Sequence, residues 1–404
     1  MSNKFEVLSP AGDPECLKAA VNFGADAVYL AGTQFGMRTA SKNFSEEQLA
    51  EGIEYAHAHG VGVHITCNVL PRSSELDELP RFLSMAQSLG ADAFIIADLG
   101  VLEIAKQNAP KVQIHASTQM GIVNYAAANA LHKMGVSRVV LARELSIPEI
   151  AEIRRRTSPE LEIETFVHGS MCISYSGRCL ISEYMTGRDA NRGDCAQPCR
   201  WKYHLYEENR EGQYFPVEEE NGGTFLYNSR DLCMIEHLPE LLETGIKSLK
   251  IEGRAKSAYY TSVITHAYAG AVREYEKDPA GYKLPEWALS EIYKVSHREY
   301  STGFFMGTPP GQNTKSGGYI RDYDVAAMCE EGGDPCVITQ RNKFFKGDTL
   351  DVLPPNAPSF ETTVLKLTNE QGEEVESTPH AMERLTLKAS LPIPTGAFLR
   401  KKRQ

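Results

Sequence analysis

Four cysteines fall within twenty-eight residues, Cys172, Cys179, Cys195 and Cys199, in the spacing C-x6-C-x15-C-x3-C. Thiolates at such density are metal ligands or a redox centre before they are anything else. No pair forms the two-residue knuckle by which structural zinc sites hold a rigid tetrahedron. Cubane iron–sulfur clusters take four thiolates from a wider shell, and the longer spacings suit that geometry. Arg178, Arg188, Arg192 and Arg200 are interleaved with the cysteines, and cations there stabilise thiolates and the negative charge of a ligated cluster. A cluster, a zinc ion and a chance grouping of thiols are the three readings of this segment. The other five cysteines of the nine (Cys16, Cys67, Cys233, Cys329, Cys336) sit among apolar neighbours and read as small buried side chains.

A second set of chemically capable residues ends the predicted strands. Ser9, Arg38 (in a following loop), Asn68, Asp98, Ser117 with Gln119, Arg143 with Glu144, His168, Lys250, Glu252 and Arg254 occupy these positions. Several cations with few acidic neighbours describe a pocket for a small anion, because arginine forms bidentate bonds to carboxylates. The alternative is mutual pairing, as Arg143–Glu144 and Glu252–Arg254. His168 reads as a base, a ligand or a hydrogen-bonded spacer. The expected substrate-binding set is Arg38, Asn68, Arg143, His168, Arg178, Lys250 and Arg254, with no catalytic base identified. Neither H-E-x-x-H nor G-x-S-x-G occurs. A His168–Cys172 peptidase dyad would leave the other three clustered cysteines unexplained.

The elements that must position these residues repeat one phrase. Strands are expected at Glu6–Ser9, Ala27–Ala31, Val61–Cys67, Ala93–Asp98, Val112–Ser117, Val139–Arg143, Ile163–His168 and Ser248–Glu252. Each of "GADAVYLAG", "GADAFIIADLG", "GVSRVVLAREL" and "GIKSLKIEGR" enters a strand from a glycine. Near-continuous apolar strands alternating with helices indicate a parallel sheet covered by helices. Asp13-Pro14 marks a helix start, and Ser45–Gln48 and Ser146–Glu149 are capping boxes. Eight such units close an α/β barrel of the (β/α)8 TIM-like kind. A ninth candidate at Thr224–Asn228, pairing with Tyr203–Glu207 in an inserted sheet, makes a distorted barrel the expectation.

The expected domains are a barrel over 1–306 with a cysteine-rich insertion at about 169–224, a linker over 307–322, and a small all-β domain over 323–404. Helices are expected over Ala258–Lys277 and around Pro285–Ser296. The 404 residues are 42% hydrophobic and 24% charged, ordinary for a globular protein. No run of about 18 apolar residues is present, so no membrane span is expected. Met1–Phe5 leads straight into a strand without a signal-peptide core, so a cytosolic location is expected. The net charge of −11 counts against wholesale nucleic-acid binding but leaves room for a local basic surface. Arg400-Lys401-Lys402-Arg403 reads as a basic tail, either solvated or in contact with phosphate.

"ETFVHGSMCISYSGRCLIS" (Glu164–Ser182) resembles the signature of the collagenase-like peptidase family U32. "LSPAG" at Leu8–Gly12, "LARELS" at Leu141–Ser146, "NSRDL" at Asn228–Leu232 and "SLKIEGRAKSAYY" at Ser248–Tyr260 extend the resemblance over nearly the whole chain. Despite the peptidase name, it implies an oxygen-independent hydroxylation protein with a 4Fe–4S cluster on Cys172, Cys179, Cys195 and Cys199. Members of this kind act on transfer RNA, ribosomal RNA or a quinone precursor. Length and the trailing β domain are most similar to the branch that forms 5-hydroxyuridine at the tRNA wobble position, which implies dependence on prephenate, a dicarboxylate. The implied partners are tRNA, that small dicarboxylate and a companion protein of the same family. A collagenase-like peptidase, or a structural protein stapled by its metal, are the readings from other classes.

Overall fold

The computed structural model describes residues 5–33, 35–36, 43–175, 178–203, 224–225, 229–311 and 318–403. Seven parallel strands come first: β1 Glu6–Pro10, β2 Ala27–Leu30, β3 Gly62–Cys67, β4 Ala93–Ile96, β5 Gln113–Ala116, β6 Arg138–Val140 and β7 Glu162–Ser170. Two short strands follow, β8 Lys202–Tyr203 and β9 Thr224–Phe225, then β10 Asp231–Cys233, β11 Ser248–Ile251 and β12 Tyr300–Ser301. Strands β1 to β7 pair in order, and β11 lies parallel between β7 and β1, closing an eight-stranded parallel barrel. Helices α1 Pro14–Asn22, α2 Glu46–Ala58, α3 Leu79–Ser88, α4 Leu99–Asn108, α5 Tyr125–Lys133 and α6 Ile147–Arg155 follow the first six strands. The short α7 Ile181–Thr186 lies in the insertion, α8 Leu238–Leu242 precedes β11, and α9 Ala258–Lys277 and α10 Glu286–Ile292 come after it.

All eight strands expected from sequence are present, with ends coinciding or shifted by up to three residues. The boundaries follow local chemistry. Ser45 caps α2 by accepting from the Gln48 amide while its own amide donates to the Gln48 side chain. At α6 the Glu149 carboxylate accepts from both the amide and the hydroxyl of Ser146. The inserted sheet exists as the antiparallel pair β8–β9; residues 204–207 and 226–228 of its expected strands lie outside the described residues. Two strands were not expected. Strand β10 runs antiparallel to the end of β7, and β12 pairs parallel with β10.

The barrel interior holds a layer of charge. Arg138 on β6 donates to Glu6 on β1 at 2.5 Å and to Glu162 at 2.6 Å and Glu164 at 3.1 Å on β7. Lys250 on β11 donates to Glu164 at 2.7 Å, and its ammonium lies 4.5 Å from the centre of the Tyr29 ring. Burial alone would raise the Glu6 pKa, but the Arg138 charge and bonds from Arg138 and Ser248 overturn it, leaving it at about 2. His64 and His115 pack edge to face beside this layer with centroids 4.8 Å apart, and burial lowers both pKa values.

The chain divides into two compact units. The barrel strands belong to the first. The second takes Glu15–Ala25, Lys256–His297 and Ile320–Gln404, so segments from within residues 1–306 contribute to it. Here β13 Tyr323–Glu331, β14 Cys336–Gln340, β15 Thr349–Leu353, β16 Phe360–Thr368, β17 Glu374–Val375, β18 Arg384–Ala389 and β19 Phe398–Lys402 form an antiparallel sheet. Its order β15-β19-β13-β14-β18-β16 closes through β15–β16 into a six-stranded barrel, with β17 added at the edge. Ile338, Leu350, Val352, Leu367, Leu387 and Leu399 fill its core.

The reading of Arg400–Arg403 as a basic tail is corrected here. Arg400 to Lys402 lie in β19, and Arg400 is 0% exposed, bonded to Glu291 on α10 and Asp351 on β15. Strand alternation, which points Leu399 into the barrel core, turns Arg400 to the opposite face, where it is buried and neutralised by Glu291 and Asp351. Cys16, Cys67, Cys329 and Cys336 are buried as expected, and Cys233 is half-buried.

Arg138→Met should lower stability by about 3–5 kcal/mol, since it leaves buried carboxylates without their partner. Chemical denaturation at pH 7 checks this. Because the folded pKa of Glu6 lies below its ordinary 4.5, the parent's stabilisation from this group is complete above that value and is lost as pH falls towards about 2. A variant as stable as the parent at pH 7 would contradict the account.

Candidate functional site

Strand β7 outruns the barrel rim and becomes the stem of the cysteine insertion. Its last residues His168, Gly169 and Ser170 pair with Cys233, Leu232 and Asp231 of β10, so the chain leaves and re-enters the insertion on neighbouring strands. Ser229 closes the stem by donating its hydroxyl to the Met171 carbonyl at 2.7 Å. Asp231 is fixed in turn by Arg298, whose side chain donates at 3.0 and 2.7 Å and whose amide donates at 3.0 Å, all buried. Across the stem the Glu252 amide donates to the His168 carbonyl at 2.8 Å. This approach explains Gly169: its φ is +113°, and a Cβ there would stand 2.4 Å from the Glu252 carbonyl oxygen.

Around this stem the strand ends present the expected polar residues. Arg143, after β6, donates to the Ser170 carbonyl at 3.0 Å and lies 5.3 Å from the centre of the Phe166 ring. Burial raises the pKa of the adjacent Glu144 against the attraction of Arg143. Asn68, after β3, donates to the Gln119 side chain at 2.7 Å, and Arg178 of the cysteine segment reaches the Gln119 carbonyl at 3.4 Å. Arg254, after β11, donates to Thr66 at 3.0 Å and to Asn43 at 2.9 Å. The His168 ring is buried, with Nε2 3.5 Å from the Tyr300 hydroxyl.

Asn68, Gln119 and Arg178 are therefore brought together, and Arg143 and His168 flank the stem. Lys250 is a correction. It is buried in the ion pair with Glu164, because the β11 alternation turns it into the interior charge layer and not towards the rim. Arg38 lies outside the described residues. Sequence reasoning missed Glu75, Thr66, Asp231, Arg298 and Tyr300. The signal for the interior layer was present: Glu6, Arg138, Glu164 and Lys250 are charges inside otherwise apolar strands. Strands β10 and β12, two or three residues long, carry no periodicity to read.

The insertion folds into short turns around its cysteines. Helix α7 ends at Gly187, and Ser182 on it accepts from the Ala196 amide at 3.0 Å, holding the Cys195 segment against the helix. The Gln197 amide donates to Cys195 Sγ at 3.3 Å, the kind of bond that tunes a thiolate ligand. Burial raises the Cys199 pKa, Arg200 opposes it, and Cys172, Cys195 and Cys179 each raise it further, so all four thiols share one electrostatic neighbourhood. An all-thiol donor set with N–H···S support and nearby guanidinium groups fits an iron–sulfur group. Among the described residues no three His, Cys, Asp or Glu side chains close on a point suited to one metal ion. Arg192 ties the insertion to the loop after β3 through a bidentate pair with Glu75, and Arg188 pairs with Asp194 at 2.7 Å.

The insertion also exposes apolar and aromatic side chains. Tyr184 is 85% exposed and Tyr175 51%, with Ile173, Leu180, Met185 and Trp201 also exposed. Arg200 donates to the Tyr319 hydroxyl at 3.2 Å. No helix among the described residues is long and apolar enough to cross a membrane.

Residues 12–315 match peptidase family U32, and residues 321–400 match the peptidase family U32 C-terminal domain. The tRNA hydroxylation protein P1 of Bacillus subtilis is 36% identical over 99% of this chain and 96% of its own length. The tRNA hydroxylation protein P2 of the same organism is 31% identical over 71% of this chain and 92% of its own length. A 23S rRNA 5-hydroxycytidine synthase of Escherichia coli is 38% identical over 77% of this chain and 46% of its own length.

Glu75→Gln should release the insertion without unfolding the barrel, because a half-exposed ion pair contributes at most about 1 kcal/mol. Trypsin should cut faster between Arg178 and Arg200, with the melting temperature moved by only a few degrees. Unchanged cleavage would mean that Glu75 does not anchor the segment.

Proposed function

The chain belongs to peptidase family U32, and on that premise we propose that it is an RNA hydroxylation protein that forms 5-hydroxyuridine at the tRNA wobble position. The observation that carries this reading is the match to a tRNA hydroxylation protein along 99% of the chain, both family regions included. The rRNA synthase shares only part of its own length with this chain, which favours tRNA over rRNA as substrate. In this proposal Cys172, Cys179, Cys195 and Cys199 hold a 4Fe–4S cluster. When bound, such a cluster supplies electron-transfer chemistry set by its charge and by hydrogen bonds to its sulfurs.

The chain's own residues bind and orient. Prephenate, the proposed co-substrate, carries two carboxylates, and Arg143 and Arg254 after their strands and Arg178 of the cysteine segment offer guanidinium forks to them, with Asn68 and His168 beside them. A base must leave its stack before its ring is modified, and anticodon bases are already unpaired. Exposed Tyr175, Tyr184 and Trp201 supply flat apolar faces on which such bases stack. A companion protein of the same family is part of the proposal, in keeping with two Bacillus subtilis relatives of similar name. Cytoplasmic location follows from the substrate.

The test uses a bacterial strain lacking its own wobble hydroxylation proteins. Supplying the parent chain should restore 5-hydroxyuridine in tRNA hydrolysates measured by mass spectrometry. Cys195→Ala should lower it at least tenfold, and Cys233→Ala, outside the cluster set, should leave it intact. Restoration of 5-hydroxycytidine in 23S rRNA in place of the tRNA product would move the reading to the rRNA branch.

A further inference from the structure

We propose that a cationic cleft on the six-stranded barrel binds the phosphodiester backbone of RNA, an inference that rests on the tRNA reading above. The cleft has a volume of about 360 Å³ and is lined by Lys343, Lys401, Lys402 and Arg403 with Asp324 and Asn342. That volume lies within the ~300–1,000 Å³ typical of ligand clefts.

Backbone pairing fixes both walls. Strand β19 runs antiparallel to β13 with Tyr323 opposite Lys402 and Asp324 opposite Lys401, and the Arg403 amide continues the ladder to the Asp322 carbonyl at 2.8 Å. Lys401, Lys402 and Arg403 thus follow one another along this wall, with side chains alternating in direction as on any strand. On the other, the amides of Arg341 and Asn342 both donate to the Ala326 carbonyl, at 2.8 and 3.1 Å. The Asn342 side chain donates to the Val325 carbonyl at 2.6 Å, so the turn that carries Lys343 is pinned to β13.

The charge is in excess. Arg403 is held by Asp324 through two bonds, at 2.9 and 2.7 Å, and Lys401 donates to Asp348 at 2.8 Å. Lys343 and Lys402 have no carboxylate partner among the described residues; the Lys343 ammonium lies 5.0 Å from the centre of the Phe345 ring. The neighbouring Arg400 shows the contrast, since a cation needed for the fold is buried and neutralised by Glu291 and Asp351. Two uncompensated ammonium groups at a cleft edge, in a chain of net charge −11, are a local anion attractor on a surface that otherwise repels RNA. An open cleft edged by a row of cations suits a polymer backbone passing through it. A small free anion is instead gripped by convergent donors in an enclosed site.

Lys343→Ala/Lys402→Ala in the full chain tests this, because neither side chain is part of an ion pair among the described residues. Binding of tRNA is measured by fluorescence anisotropy between 50 and 200 mM salt, with Lys388→Ala, exposed on β18 away from the cleft, as the control of equal charge type. Each lost phosphate contact removes roughly 0.7–0.9 from the slope of log affinity against log salt. The double variant should therefore lose about 1.4–1.8 in slope and bind about 10- to 50-fold more weakly at 0.1 M salt, with Lys388→Ala near the parent. Parent-like slope and affinity would overturn the proposal. So would unchanged tRNA binding with loss of inorganic phosphate binding, or no tRNA binding by the parent. A parent that binds tRNA but forms no 5-hydroxyuridine would instead defeat the functional reading and leave the cleft standing.

Discussion

Strand β7 is the member on which the rest depends. Within the barrel its Glu162 and Glu164 share Arg138 with Glu6, and Glu164 also takes Lys250, so the charge layer that joins β1, β6, β7 and β11 passes through it. Beyond the rim the same strand pairs with β10 and becomes the stem of the insertion. The change of partner occurs at His168–Gly169, where Glu252, just after β11, approaches so closely that only glycine fits. Barrel closure and the placing of the four cysteines are therefore one structural event. A buried ion layer of this kind is costly to desolvate and punishing to break, because removing one partner leaves an uncompensated buried charge.

The position of the stem sets what the insertion can do. It rises where the ends of β3, β5, β6 and β11 bring Asn68, Gln119, Arg143 and Arg254 to the same side of the barrel, the face on which barrels of this type carry their chemistry. Arg178 reaches back to Gln119, and Arg192 to Glu75, so cations of the cysteine segment also serve as its moorings. Those arginines were first read as partners for thiolates. Two of the four are bonded to carboxylates, Arg188 to Asp194 and Arg192 to Glu75, which leaves Arg178 and Arg200 as the guanidinium groups without such a pair among the described residues.

Much of the barrel was legible because its signal is long and repeated. Entry glycines and unbroken apolar runs mark β1 to β7 and β11, and the capping boxes at Ser45 and Ser146 mark helix starts through local bonding alone. Side-chain direction was not legible from strand ends. Lys250 reads as a rim cation and lies inside, and Arg400 reads as a tail and is fully buried, because a shift of one residue along a strand reverses the face. The partners Asp231 and Arg298 escaped notice since they meet only through the fold, sixty-seven positions apart. The cysteine set was the easiest feature to find: its density needs no periodicity to be seen.

The central claim is that Cys172, Cys179, Cys195 and Cys199 together hold one iron–sulfur cluster beside the barrel rim. It is tested most directly by counting iron, acid-labile sulfide and zinc in the full chain purified without oxygen. The account predicts about four irons and four sulfides per chain, with both lost together in Cys199→Ala. A single zinc per chain with no sulfide would contradict it.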